Sequence, residues 1–181
     1  AQDPSGRRVA LKELAADADE VARARFLREA RLAEQLQHPA LGSILGLTRS
    51  AAGQPVLVRE LVEGQSLAAR LERGPLPWRE AVSLGARLAA GLAHAHAAGV
   101  IHRDVKPANV IVSPAGAKLI DFDLALVRRP GALRATLTRL TLSGQGLGTL
   151  AYLAPEQLRD AHRVGPAADV YGLGVTLLHA L

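Results

Sequence analysis

The stretch His102-Arg103-Asp104-Val105-Lys106-Pro107-Ala108-Asn109 constrains this chain more than any other. It sets a carboxylate, an ammonium two residues later and an amide five residues later in one short segment. Strongly structured sequence lies on both sides. Pro77 opens a long Ala/Leu-rich helix that Gly99 stops, and a Ser-Pro-Ala-Gly turn at 113–116 leads into a predicted strand at 117–120. The polar residues between them, from Val100 to Ile111, read as a loop carried by that scaffold. Phosphoryl transfer needs these three chemistries together. A carboxylate accepts the proton of the attacking hydroxyl, a cation neutralises the migrating phosphate, and an amide oxygen helps to hold a divalent ion.

Other short signals fall around this segment in a fixed order. Val9-Ala10-Leu11-Lys12 and Phe26-Leu27-Arg28-Glu29-Ala30 precede it, and Asp121-Phe122-Asp123, Gly148-Thr149 and Ala154-Pro155-Glu156 follow. In order and spacing the set resembles a serine/threonine protein kinase of the eukaryotic-like type found in bacteria. The resemblance runs from Arg8 to the last residue. It implies an α+β, protein kinase-like two-lobed fold. Residues 1–58 would be a partial N-lobe, 59–64 a hinge and 65–181 a partial C-lobe. Such a domain would begin with two strands carrying a Gly-rich loop and would continue past Leu181, so the chain is read as truncated at both ends. Met is absent even at position 1, in keeping with a processed or internal piece.

Composition narrows the field further. Apolar residues make up 49% of the 181, enough for a buried core. Cysteine is absent, which excludes disulfides and thiolate metal sites. No apolar run is long enough to predict a membrane helix, and no signal-peptide pattern opens the chain. The net charge of +5 is spread along the sequence, without the dense basic run or interleaved aromatics of a nucleic-acid binder. Among 22 basic side chains only three are lysine, and two of these, Lys12 and Lys106, fall where a compact ammonium suits phosphate chemistry.

The pattern predicts a turn and strand over 6–14 and a helix over 19–37 with Val21, Phe26, Ala30, Ala33 and Leu36 facing inward. His38-Pro39 ends that helix. Strands follow at 44–48 and 55–62, with Gly64 as a linker and a short helix at 66–73. Residues 124–148 read as a long irregular segment. Asp169 to Leu181 is apolar on all sides, the mark of a helix meant to be fully buried.

The resemblance assigns roles residue by residue. Lys12 would bind the α and β phosphates of ATP, with Glu29 positioning it. Asp104 would be the base toward the substrate hydroxyl, and Lys106 would contact the γ-phosphate, a placement like that of serine/threonine rather than tyrosine kinases. Asn109 and Asp121 would hold Mg²⁺ (or Mn²⁺). The backbone of Glu60 and Val62 would pair with adenine, and Ala10 and Ile111 would sandwich the base. Thr149 would contact the catalytic pair, Asp169 would brace the loop, and His102 would be a core residue beneath it. Arg103 would meet a phosphorylated activation segment, with Thr141 and Ser143 as candidate autophosphorylation sites. His94 and His96, two apart on a helix, point to different faces and make a poor metal pair.

Two positions depart from the pattern. Asp123 stands where glycine is usual, restricting the backbone and adding charge near the metal residues. Arg59 aligns with an apolar position at the back of the adenine pocket, where a guanidinium needs a partner, and Glu29 is the candidate. The reading is a cytoplasmic kinase domain that moves the ATP γ-phosphate to Ser or Thr hydroxyls of proteins, itself included, with this fragment alone weak or inactive. The rival is a pseudokinase that uses the same fold as a nucleotide- or protein-binding regulatory module.

Overall fold

The protein is described by a computed structural model covering residues 1–3, 5–14, 19–122, 150–159 and 164–181. Strand β1 (Val9–Glu13), helix α1 (Glu20–Glu34) and strands β2 (Ile44–Arg49) and β3 (Pro55–Glu60) come first. Strand β4 (Gln65–Ser66), helix α2 (Leu67–Leu71), helix α3 (Trp78–Ala97), a 3₁₀ turn at Pro107–Asn109, and strands β5 (Val110–Ser113) and β6 (Gly116–Leu119) follow. Helices α4 (Pro155–Arg159) and α5 (Pro166–Ala180) complete the described elements.

The first sheet has the order β1-β3-β2, all antiparallel, so β3 is bonded on both edges. That explains its Val56-Leu57 centre, which is buried, while flanking β1 alternates exposed and covered positions. Register sets Ala10 opposite Arg59 and Lys12 opposite Leu57 on one side, and Ile44 opposite Arg59 on the other. The second sheet is β4-β5-β6, also antiparallel. A loop joins the two sheets: Gly42 N–H donates to Leu119 O and Leu119 N–H donates to Ala40 O, at 2.8 Å each. One apolar cluster runs through both, from Phe26 and Leu57 to Leu88, Leu119 and Leu173.

Local sequence accounts for the helix ends. Ser66 caps α2, its hydroxyl accepting the Ala69 N–H at 3.1 Å. Helix α3 buries Ala81, Leu84, Leu88, Leu92 and Ala95 at three- and four-residue spacing. It ends in a Schellman turn: Gly99, at φ 76°, donates to His96 O and Val100 donates to Ala95 O, both at 2.9 Å.

Several expectations need correction. Helix α1 stops at Glu34 rather than 37, and Val21 is exposed while Phe26, Ala30, Ala33 and Leu36 are buried. The apolar stripe therefore starts one turn later. Strand β3 ends at Glu60, which leaves Val62 in the connection 61–64. Gly64 closes that connection at φ 144°, where a Cβ would lie 2.5 Å from Val112 O, so only glycine fits. Ile111 sits in a strand rather than a loop, because β5 pairs with both β4 and β6. Helix α5 is buried on one face only: Val170 and Leu178 are 63% and 76% exposed, since no described element covers that side. Its apolar residues all round reflect surface that the described residues leave open.

The inner face of α5 sets the loop of 102–109. Asp169, 1% exposed, accepts the backbone N–H of His102 on Oδ2 at 2.8 Å and that of Arg103 on Oδ1 at 2.7 Å. His96 Nε2 meets the same Oδ2 at 2.7 Å. From α4, Gln157 Nε2 donates to Arg103 O at 2.8 Å. These bonds hold Arg103 at φ 67°, a conformation that costs a non-glycine residue energy and persists only where its surroundings enforce it. His102 is fully buried against Phe122, ring centroids 4.6 Å apart. Its Nδ1 accepts the Asp104 N–H, so the proton is on Nε2, which donates to Ile120 O at 2.9 Å. Burial holds the imidazole pKa below its ordinary value, against the raising pull of Asp169 and the Ile120 carbonyl.

Two tests follow from this packing. A Cβ on Gly172 would meet Val105 O at 2.8 Å, whereas one on Gly174 meets nothing within 4 Å. Gly172→Ala should cost about 1–3 kcal/mol in chemical denaturation. Gly174→Ala on the same helix should gain about 0.5–1 kcal/mol. For His102, the depressed folded pKa means that below pH about 6.5 the unfolded chain takes up a proton that the folded chain resists. Stability present at neutral pH is thus lost as the pH falls. Melting temperature should drop from pH about 7.5 to about 5.5, and less steeply in His102→Gln, in which this linkage is gone.

Candidate active site

The braced loop delivers its three polar side chains to one point. Lys106 Nζ lies 2.8 Å from Asp104 Oδ2, and Asn109 Nδ2 donates to the same Oδ2 and to the Asp104 carbonyl, each at 2.8 Å. The five-residue spacing from Asp104 to Asn109 closes because Pro107–Asn109 turns as a 3₁₀ helix, with Asn109 N–H on Lys106 O. Two oxygen acceptors oblige Asn109 to present its NH₂ to Asp104, which leaves Oδ1 as an acceptor with no donor among the described residues. Asp104 and Lys106 are each about a fifth to a quarter exposed, so the pair is screened without being sealed.

A second cluster forms across the first sheet. Lys12, on β1, reaches Asp121 Oδ1 at 3.2 Å. Arg59, on β3, pairs with the same oxygen through Nη1. Burial raises the Asp121 carboxyl, but the Arg59 and Lys12 charges and hydrogen bonds outweigh it and hold the pKa below the usual carboxylate value. Asp121 also sits at φ 62°, next to the buried Phe122. Among the described residues Arg59 therefore pairs with Asp121, and the pairing expected with Glu29 falls on a side chain outside them. Register explains why, since Arg59, the last but one residue of the central strand, lies beside Ala10, two residues from Lys12.

Between the sheets lies a cleft lined by Ala10, Gly42, Arg59, Glu60, Leu61, Val62, Ile111, Ile120 and Asp121. The four residues expected around adenine, Ala10, Glu60, Val62 and Ile111, thus share one cavity with Asp121. Its wall is mostly apolar, with the charged pair of Arg59 and Asp121 among the lining residues, a composition suited to a flat heterocycle bearing an anionic tail. The Glu60 side chain is turned to structural use. It bonds Lys118 Nζ at 2.6 Å and accepts the Ser43 N–H at 3.1 Å. Burial opposes its ionisation, yet Lys118 and Ser43 prevail and its pKa is lowered.

Asp121 and Asn109 offer a carboxylate and an amide oxygen, the hard donors that Mg²⁺ prefers. One or two such protein ligands are the usual number where phosphates supply the rest. The donor set therefore fits a divalent ion. Among the described residues no group of three or more His, Asp or Glu forms an alternative metal site.

Thr149, Asp123, Thr141 and Ser143 lie outside the described residues, as does the side chain of Glu29. Sequence reasoning missed Lys118, Gln157, and His96 as an Asp169 partner. The third lysine of a lysine-poor chain was a usable signal for Lys118, since it lies on a strand beside the hinge. Nothing local pointed to Gln157, whose role depends on a bond to a carbonyl 54 positions away.

Comparison with known proteins agrees with this geometry. The protein kinase domain family matches residues 1–181. The serine/threonine-protein kinase PknK of Mycobacterium tuberculosis is 40% identical over 178 residues, covering 97% of this chain and 15% of its own length. PknL of Mycobacterium bovis is 42% identical over 179 residues, covering 97% and 43%. The chain thus spans less than half the length of each of these relatives. The crystal structure of the Mycobacterium tuberculosis PknI kinase domain superposes with a TM-score of 0.74 at 28% identity, covering 99% of this chain and 65% of that one. Because that family model matches the chain along its whole length, the chain belongs to the protein kinase domain family.

Proposed function

We propose that this chain transfers the γ-phosphate of ATP to Ser or Thr hydroxyls of proteins. The observation that carries the reading is the convergence of Lys106 and Asn109 on a single oxygen of Asp104. Asp104 Oδ1, which has no hydrogen-bond partner among the described residues, is the atom to accept the proton of the substrate hydroxyl. Lys106 Nζ leaves Oδ2 to follow the γ-phosphate as negative charge builds there, and Asn109 Nδ2 keeps the carboxylate in place. Lys12 holds the α and β phosphates, with Glu29 and Thr149 as supporting residues. Adenine lies between Ala10 and Ile111 and bonds the backbone of Glu60 and Val62. Mg²⁺ (or Mn²⁺), held by Asn109 and Asp121, supplies charge neutralisation between the phosphates when bound.

His102 takes no part in proton transfer, because both ring nitrogens are committed to backbone groups beneath the loop. No helix among the described residues is long and apolar enough to cross a membrane. A cytoplasmic setting, protein substrates and modification of the chain itself at Thr141 and Ser143 belong to the same proposal. The Arg59–Asp121 pair favours a second reading, a nucleotide-binding regulatory module, because it occupies a carboxylate that catalysis needs.

Intact-mass measurement after incubation of the full-length protein with Mg²⁺-ATP separates the two. Added phosphates on wild type are expected, with Asp104→Asn slowed by about 10²- to 10⁴-fold. No phosphate on a folded wild type, toward itself or a Ser/Thr-rich protein, would favour the regulatory module. Peptide mapping of the modified protein should locate phosphate on Thr141 or Ser143, and phosphate confined to other segments would refute that assignment.

A further inference from the structure

Arg59 is the one feature of the cleft that the phosphoryl-transfer reading does not use. It is the last but one residue of β3, its backbone paired with Ala10 on one side and Ile44 on the other. Only the side chain is free to move. That side chain is 19% exposed, and its Nε is buried with no hydrogen-bond partner. The ion pair with Asp121 is thus what offsets the cost of holding a guanidinium there. Lys12 approaches the same oxygen from β1. Among the described residues of this cluster, two cations face one carboxylate.

We propose that Arg59 is a built-in counter-cation for Asp121. It takes the place of a divalent ion on that carboxylate, weakening metal binding and letting the nucleotide bind with little dependence on metal. A divalent ion approaching Asp121 must displace or share with a guanidinium that has no other carboxylate partner among the described residues. A polyphosphate approaching the same point meets attraction instead, because the Arg59 and Lys12 charges exceed that of Asp121. Arg59 is therefore a specificity-determining residue that sets the metal requirement of the cleft. The proposal rests on the nucleotide reading of this site, but its central test needs neither nucleotide nor phosphate transfer.

The test is Mn²⁺ binding to the full-length protein, read by electron paramagnetic resonance of the free ion. Wild type is compared with Arg59→Leu and Arg59→Gln, each checked for a native circular dichroism spectrum. Both variants should bind Mn²⁺ at least about tenfold more tightly than wild type, the effect of removing one facing charge at short range. Adding Asp121→Asn to either variant should abolish the gain. Equal Mn²⁺ affinity in wild type and the folded variants, or a gain that survives Asp121→Asn, would overturn the proposal. ATP titrated by calorimetry provides the second arm. Wild type should bind it with affinities within about threefold in EDTA and in Mg²⁺, while Arg59→Leu should lose about tenfold or more in EDTA. A wild type as dependent on Mg²⁺ as the variant would also count against the role of Arg59. Loss of phosphate transfer with these shifts intact would instead strike the kinase reading and leave Arg59 as assigned.

Discussion

Asp169 is the group on which the site depends. Its carboxylate is almost wholly buried, and each oxygen takes a backbone N–H from the loop that carries Asp104. Charge-assisted bonds of this kind are stronger than neutral ones, and a buried carboxylate without them would be costly, so the loop and the helix hold each other. The bond to Arg103 matters most, because it fixes a left-handed residue immediately before Asp104. Gly172, one turn farther along the same helix, lets Val105 O approach to a distance that no side chain would allow. Helix α5 therefore acts as a template: one polar and one absent side chain on its inner face shape the loop.

The charged cluster on the first sheet obeys different physics. Residues of the first sheet are held by strand register, which fixes backbone positions closely but leaves long side chains to choose partners by charge. Lys12 and Arg59 both choose Asp121. Glu60, at the end of the same strand, is taken by Lys118 and Ser43 and so anchors the connection between the two sheets. A loop whose geometry is over-determined thus stands beside a charged cluster held only by side-chain pairing.

Much of this was legible in the residues. Gly99 as a helix stop, Pro77 as a start, the buried spacing of α3 and the loop at 102–109 follow from local rules of turn chemistry and periodicity. The four residues expected around adenine do share a cavity. Errors came where non-local contact decides. Val21 fits the helical period but lies beyond the reach of the core, and Ile111 reads as loop until β4 and β6 pair on either side of it.

The sequence by itself determined the chemical inventory and the element carrying each part, since Asp104, Lys106 and Asn109 lie within one loop and their spacing is closed by a local turn. It also determined that a guanidinium stands at position 59. Only the tertiary structure decided what that guanidinium holds. Its partner among the described residues lies 62 positions away, a separation that no local rule bridges. Strand register brought Arg59 to Asp121, and the cost of a buried charge without a partner keeps it there.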